Sequence, residues 1–289
     1  MKRPVVYLRT NNIFYDCPVL INLGKGLSDK AIISDGLKYV PGGYPVIRAD
    51  ADPKDAVKCA LISQCDSTYL GISDPIFRHP SGLAKHSQFK VGLNGYTALA
   101  EYNNVDCPSD RWEVLQRMFQ IEVKPYRKQG DHITVIVNTL YNVNNVTVSI
   151  YKWANDVIDV LKQTTDRPIK IWADPEWHNR RHIGLGLRND VEVIQDDSVF
   201  ENCHATVSYS SHKAVETTIA GIPNIPISDH CFTSLLQKSD LTQIDDISLP
   251  DRDQWLWNLA YTQWGSREIK KHLPIEHLRN KISELQNQK

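Results

Sequence analysis

Short apolar runs rich in β-branched residues alternate with stretches of helical spacing from one end of the chain to the other. Pro4-Val5-Val6-Tyr7-Leu8-Arg9 predicts a first buried strand. Asp55 to Cys65 predicts a helix with Ala56, Val57, Ala60 and Leu61 in phase, and Thr68 to Ile72 another strand. The texture changes between about Asp110 and Gly130, where a helical Leu115 to Phe119 is followed by Lys124-Pro125-Tyr126-Arg127-Lys128-Gln129-Gly130. A proline and a glycine enclosing a polar basic run read as a linker. The alternation then restarts. His132 to Val137 predicts a strand, Tyr151 to Gln163 a helix with Trp153, Ala154, Val157, Ile158 and Leu161 on one stripe, and Arg167 to Trp172 a strand. Val191 to Ile194, Ala205 to Tyr209 and Asn224 to Ile227 predict three more strands, with short helices at Ser198 to Asn202 and Lys213 to Ala220. Ser266 to Lys289 predicts helical segments interrupted at Pro274. Alternation of this kind predicts an α/β protein with parallel sheets in two domains, residues 1–128 and 129–265, with 266–289 a helical tail packing back on the first.

Composition narrows the class without changing that picture. The 289 residues are 41% hydrophobic and 23% charged, with a formal charge of -1, values of an ordinary globular protein. No apolar run approaches the roughly 18 residues of a membrane span and no leader-like segment opens the chain, so the expectation is a cytoplasmic protein with no membrane partner. Six cysteines lie far apart, outside any CxxC pair, and are expected to be reduced thiols. The near-zero charge means that a nucleic-acid partner must be held by a local basic patch. No metal site is expected, because His178 and His182 lack a HExxH frame and a third ligand. Oligomeric state is not indicated.

The segment richest in chemistry runs from Ala205 to Pro223. A strand ends in Ser210 and Ser211, a helix begins at once with His212 and Lys213, and Gly221-Ile222-Pro223 stops it. The first turn of such a helix points unpaired N–H groups and a partial positive charge beyond the strand end, where phosphate is the natural occupant. Glu216, one turn in, suits a ribose diol, since its carboxylate is a pure acceptor. The same pattern also describes an ordinary capped helix with Ser210 or Ser211 as N-cap and Gly221 as C-cap. Arg180 and Arg181 follow the strand ending at Trp172 and are suited to a diphosphate on the same sheet edge. For a general base, the candidates near strand ends of the first domain are Asp74, Asp16 and His79.

Strand, Ser-Ser, helix with Glu, then Gly-Ile-Pro resembles the donor-nucleotide signature in the C-terminal domain of GT-B glycosyltransferases, with Glu216 five residues before Gly221. A second likeness is spread over about residues 90 to 270. Val91 to Tyr96, Arg111-Trp112, Lys124 to Gly130, Thr165 to Pro168 and Trp255 to Trp264 resemble glycosyltransferase-like proteins of large DNA phages, some of which glycosylate 5-hydroxymethylcytosine. The resemblances imply two Rossmann-like domains facing across a cleft and a donor that is a nucleotide-sugar, UDP-linked, as co-substrate with no further cofactor. They imply glucosyl or arabinosyl transfer to hydroxymethylated double-stranded DNA in the host cytoplasm. A polysaccharide, lipid or protein acceptor, or a silent nucleotide-sugar-binding module, are the alternatives. A DNA acceptor would be met by Lys85, Lys90, Arg111, Lys124, Arg127 and Lys128. In one place the pattern departs from the phage-like relatives: Trp172-Ala173-Asp174-Pro175-Glu176-Trp177-His178 stands where they carry Arg-Pro-His-Pro.

Overall fold

The computed structural model describes residues 2–8, 17–35, 40–49, 68–78, 87–137, 150–174, 186–238 and 240–287. The chain forms two compact units. One is built from Met1–Ile121 together with Asp253–Lys289, and the other is Glu122–Arg252.

The first unit opens with β1 (Pro4–Leu8), α1 (Cys17–Leu27), β2 (Ile32–Asp35), β3 (Tyr44–Arg48), β4 (Leu70–Ser73), β5 (Gln88–Leu93) and α2 (Asp110–Phe119). Strands β1 to β4 are parallel and β5 turns antiparallel to β4. The side chains of β1, β3, β4 and β5 are buried almost throughout, as expected for strands covered on both faces, whereas β2 at the sheet edge leaves Ile33 exposed. Four further elements come at the end of the chain and are introduced below. The expected helix between Asp55 and Cys65 lies outside the described residues.

The second unit contains β6 (His132–Val137), α3 (Ile150–Thr164), β7 (Ile169–Ala173), β8 (Glu192–Ile194), a 3₁₀ turn at Asp197–Phe200, β9 (Cys203–Ser208), α4 (His212–Ile219) and β10 (Asn224–Pro226). Its five strands are all parallel, in the order β10-β9-β6-β7-β8. Trp153, Ala154, Val157, Ile158 and Leu161 of α3 are buried against Ile133, Val135 and Val137, the apolar stripe read from the sequence. Two further 3₁₀ turns, Phe232–Leu235 and Leu241–Gln243, lead out of the unit.

The chain then returns to the first unit as α5 (Asp253–Ala260), β11 (Gln263–Gly265), α6 (Ser266–Lys270) and α7 (Leu273–Asn287). Here the observed division differs from the one expected. The alternation along the sequence places residues 253–265 in the second domain, but β11 hydrogen-bonds antiparallel to β5 and completes a sheet of order β11-β5-β4-β3-β1-β2. Trp264 of β11 and Ile275, Leu278 and Ile282 of α7 are buried in one core with Val19, Leu20 and Leu23 of α1. The break in the terminal helices also falls elsewhere. His272, at φ 63°, separates α6 from α7, and Pro274 sits in the first turn of α7, where a missing N–H costs nothing.

Both chain crossings between the units are fastened to the C-terminal end of α4. The Lys124 N–H donates to the Ile219 carbonyl (2.9 Å) and the Arg127 N–H to that of Gly221 (2.8 Å). Arg252 donates from Nη1 to the Thr218 carbonyl (2.5 Å) and from Nη2 to that of Lys124 (2.6 Å), and its guanidinium lies 4.0 Å from the centroid of the Tyr126 ring. Gly221 has φ 86°, and a Cβ there would sit 2.2 Å from the Pro125 carbonyl oxygen. Only glycine satisfies both conditions.

Candidate functional site

In open parallel sheets, ligands bind beyond the carboxyl ends of the strands where the strand order reverses. In the second unit β6 is flanked by β7 on one side and β9 on the other, so the reversal lies between β6 and β9. Strand β9 ends at Ser208, and Tyr209 and Ser210 carry the chain to the start of α4. Ser211 is the N-cap, in extended backbone, with Oγ accepting from the Lys213 N–H at 3.1 Å. Ser210 Oγ donates to the His230 carbonyl (3.3 Å), which brings the loop after β10 to the same edge. His212 opens the helix.

Lys213 and Glu216 meet one turn apart, Nζ to Oε2 at 2.8 Å, and the same Nζ lies 3.2 Å from Asp197. The ammonium also sits 5.3 Å from the Trp172 ring and 5.8 Å from that of Phe200. Burial works against its charge, yet Glu216 and Asp197 together hold its pKa above the ordinary lysine value. Asp197, Trp172, Phe200 and His230 carry no signal in the sequence, because a strand, a 3₁₀ turn and a loop far apart in the chain bring them to this edge. Beneath the edge, Ser208 donates to Asn224 Oδ1 (3.2 Å), Thr233 donates to the same oxygen (2.6 Å), and Asn224 Nδ2 donates to Thr206 (2.9 Å). This buried network fixes β9, β10 and the following turn to one another. Arg180 and Arg181 lie outside the described residues, as do His178 and His182.

In the first unit the strand order reverses between β1 and β3. Arg48 ends β3, and its Nη2 is 2.5 Å from Asp74 Oδ1, just past the end of β4. Arg78 approaches the other carboxylate oxygen at 3.8 Å. Burial pushes the Asp74 carboxyl up, but Arg48, Arg78 and Lys90 outweigh it and hold the pKa below the usual carboxylate range. Of the three candidate bases, Asp74 is at a strand end as expected; Asp16 and His79 lie outside the described residues.

Of the residues expected to meet DNA, three of the described ones are engaged inside their own units. Lys90 is only 2% exposed, in mid-strand on β5. Arg111 is an internal clamp: it pairs with Glu268 (2.7 Å), donates to the Gln263 carbonyl (2.5 Å) and stacks 3.8 Å from the centroid of the Trp264 ring. Thus two segments noted in the sequence, Arg111-Trp112 and Trp255 to Trp264, pack on each other. Arg127 donates to the Phe200 carbonyl (2.7 Å) and is half-buried. Lys124 and Lys128 are exposed, and Lys85 lies outside the described residues.

Two α/β units with parallel-rich sheets give this chain a GT-B-like fold. It is similar over 90% of its length to 90% of Thermosulfurimonas dismutans KpsC, beta Kdo 2,4 transferase, at a TM-score of 0.58 and 12% identity. Thermosulfurimonas dismutans KpsC, beta Kdo 2,7 transferase, matches at a TM-score of 0.47 and 12% identity, over 93% of this chain and 97% of that one. No family model and no curated protein matches the chain. No helix among the described residues is long and apolar enough to cross a membrane.

Proposed function

We propose that the protein is a glycosyltransferase that moves a sugar from a nucleotide-activated donor to a carbohydrate acceptor. The observation that carries this reading is the capped start of α4 at the strand-order reversal of the second unit, with Glu216 one turn in. Phosphates of the donor would accept from the N–H groups of the first turn, which stabilises the charge that develops on the leaving group. Glu216 would take the ribose hydroxyls, exchanging its bond to Lys213 for them. Lys213, released, is then a cation beside the phosphates. In the first unit, Asp74, the carboxylate just past the end of β4, would accept the proton of the attacking hydroxyl.

A carbohydrate acceptor is preferred over hydroxymethylated DNA on two grounds. Lys90, Arg111 and Arg127 are buried or internally engaged, and the fold is shared with a Kdo transferase. The test is a turnover assay on the full chain with a panel of nucleotide-activated sugars, UDP-linked and Kdo-bearing ones included, against oligosaccharide and hydroxymethylcytosine-DNA acceptors, read by mass. A sugar mass added to an oligosaccharide supports the reading. Addition to the DNA alone overturns the acceptor, and nucleotide-sugar binding without any transfer makes the protein a silent binding module.

A further inference from the structure

At the carboxyl edge of the first unit three cationic side chains gather around Asp74, and they come from three separate strands or the loops after them. Arg48 is the last residue of β3, Arg78 follows β4, and Lys90 lies on β5 directly opposite Ser73 in the antiparallel register. Residues so opposed project from the same face of a sheet. All three positive groups act on the one carboxylate of Asp74. Ser73, 1% exposed at the end of β4, has a hydroxyl with no hydrogen-bond partner among the described residues. Arg48 and Arg78, by contrast, keep 27% and 30% of their side chains exposed, so a dissolved ligand reaches them.

A guanidinium held on one side by a carboxylate is fixed in orientation, and its planar fork matches carboxylate and phosphate oxygens alike. Arg48 adjoins the reversal between β1 and β3, the place where a sheet of this order receives ligands. We propose that Arg48 and Arg78, anchored by Asp74, bind an oxyanion carried by the acceptor sugar. The acceptor is therefore an acidic sugar, bearing a carboxylate or a phosphate, and not a neutral one. Naming the ligand an acceptor rests on the glycosyl-transfer reading; the anion site itself does not.

The experiment is equilibrium titration of the full chain, without donor, at fixed ionic strength. Glucuronate, glucose 1-phosphate and methyl glucoside are the probes, and nucleotide binding is measured on the same samples. At least one acidic probe is expected to bind about tenfold or more tightly than methyl glucoside, and which of the two does so tells carboxylate from phosphate. Arg48→Gln and Arg78→Gln are each expected to weaken that binding about tenfold while leaving the melting curve cooperative and nucleotide affinity unchanged. Arg48→Lys, which keeps the charge but loses the fork, falls between wild type and Arg48→Gln. Equal affinity for acidic and neutral probes, or undiminished acidic binding in a folded Arg78→Gln or Arg48→Lys protein, overturns the proposal. Acidic-sugar binding in a protein that takes up no nucleotide would sink the transferase reading and leave the anion site standing.

Discussion

Glu216 holds its carboxylate against Lys213 on the same helix, so a ribose that binds there must compete with an ion pair at 2.8 Å. Glu216 keeps 44% of its side chain exposed, which weakens the pair, and two hydroxyl-to-carboxylate bonds outweigh it. Glu216→Ala is accordingly expected to lower donor affinity about tenfold without loss of fold, which titration with the nucleotide and a melting curve check together. Asp74 answers to a different measurement. Asp74→Asn keeps most of the shape but removes the proton acceptor, so kcat is expected to fall by about a hundredfold or more while nucleotide affinity stays the same. A kcat within a few-fold of wild type would remove Asp74 from the chemistry.

At the scale of elements, α4 is held at both ends: Ser211 caps its start, and Gly221 receives the linker backbone at its finish. Gly221→Ala introduces a Cβ into the Pro125 carbonyl at a left-handed φ and is expected to destabilise by about 2 kcal/mol or more, read from urea unfolding. The sequence displayed this helix plainly, since strand end, cap, helix and stop follow one another within twenty residues or so. It displayed β6 equally plainly, because His132 to Val137, buried along its whole length, reads as one run rich in β-branched residues. By contrast, β11 is three residues whose extended form comes from pairing with β5, which local sequence does not encode. Likewise the cluster of Arg48, Asp74, Arg78 and Lys90 joins positions up to forty or so residues apart. Asp74 alone carries a local signal, as an acid after a strand; nothing in the sequence around Arg48 or Arg78 marks them as its partners.

For the molecule as a whole, three histidines set an acid limit. Burial lowers the pKa of His204, His230 and His277 below the ordinary 6.5, against smaller opposing effects from neighbouring carboxylates and carbonyls. The unfolded chain therefore takes up protons first on acidification, and the stability that the neutral rings confer above pH 6.5 is lost as pH falls through their lower folded values. Urea midpoints measured from pH 8 downward are expected to be level above about 7 and to decline below about 6.5. A flat profile to pH 5 would contradict this. The second unit has its own core and its own sheet, so residues 122–252 expressed alone are expected to give a cooperative urea transition, and on the proposed reading to match the full chain in nucleotide titrations.

The first unit is drawn from segments on either side of the second, and this imposes an order of events at the ribosome. When Arg252 emerges, the second unit has every strand that it needs, but β5 still has an open edge and the core around Leu20 and Leu23 still lacks Trp264 and Ile275. The segment before the second unit must therefore wait for the segment after it, with an unpaired strand exposed in the interval. A ribosome stalled short of Gln263 would release a chain whose second half is native and whose first half is a target for chaperones and proteases.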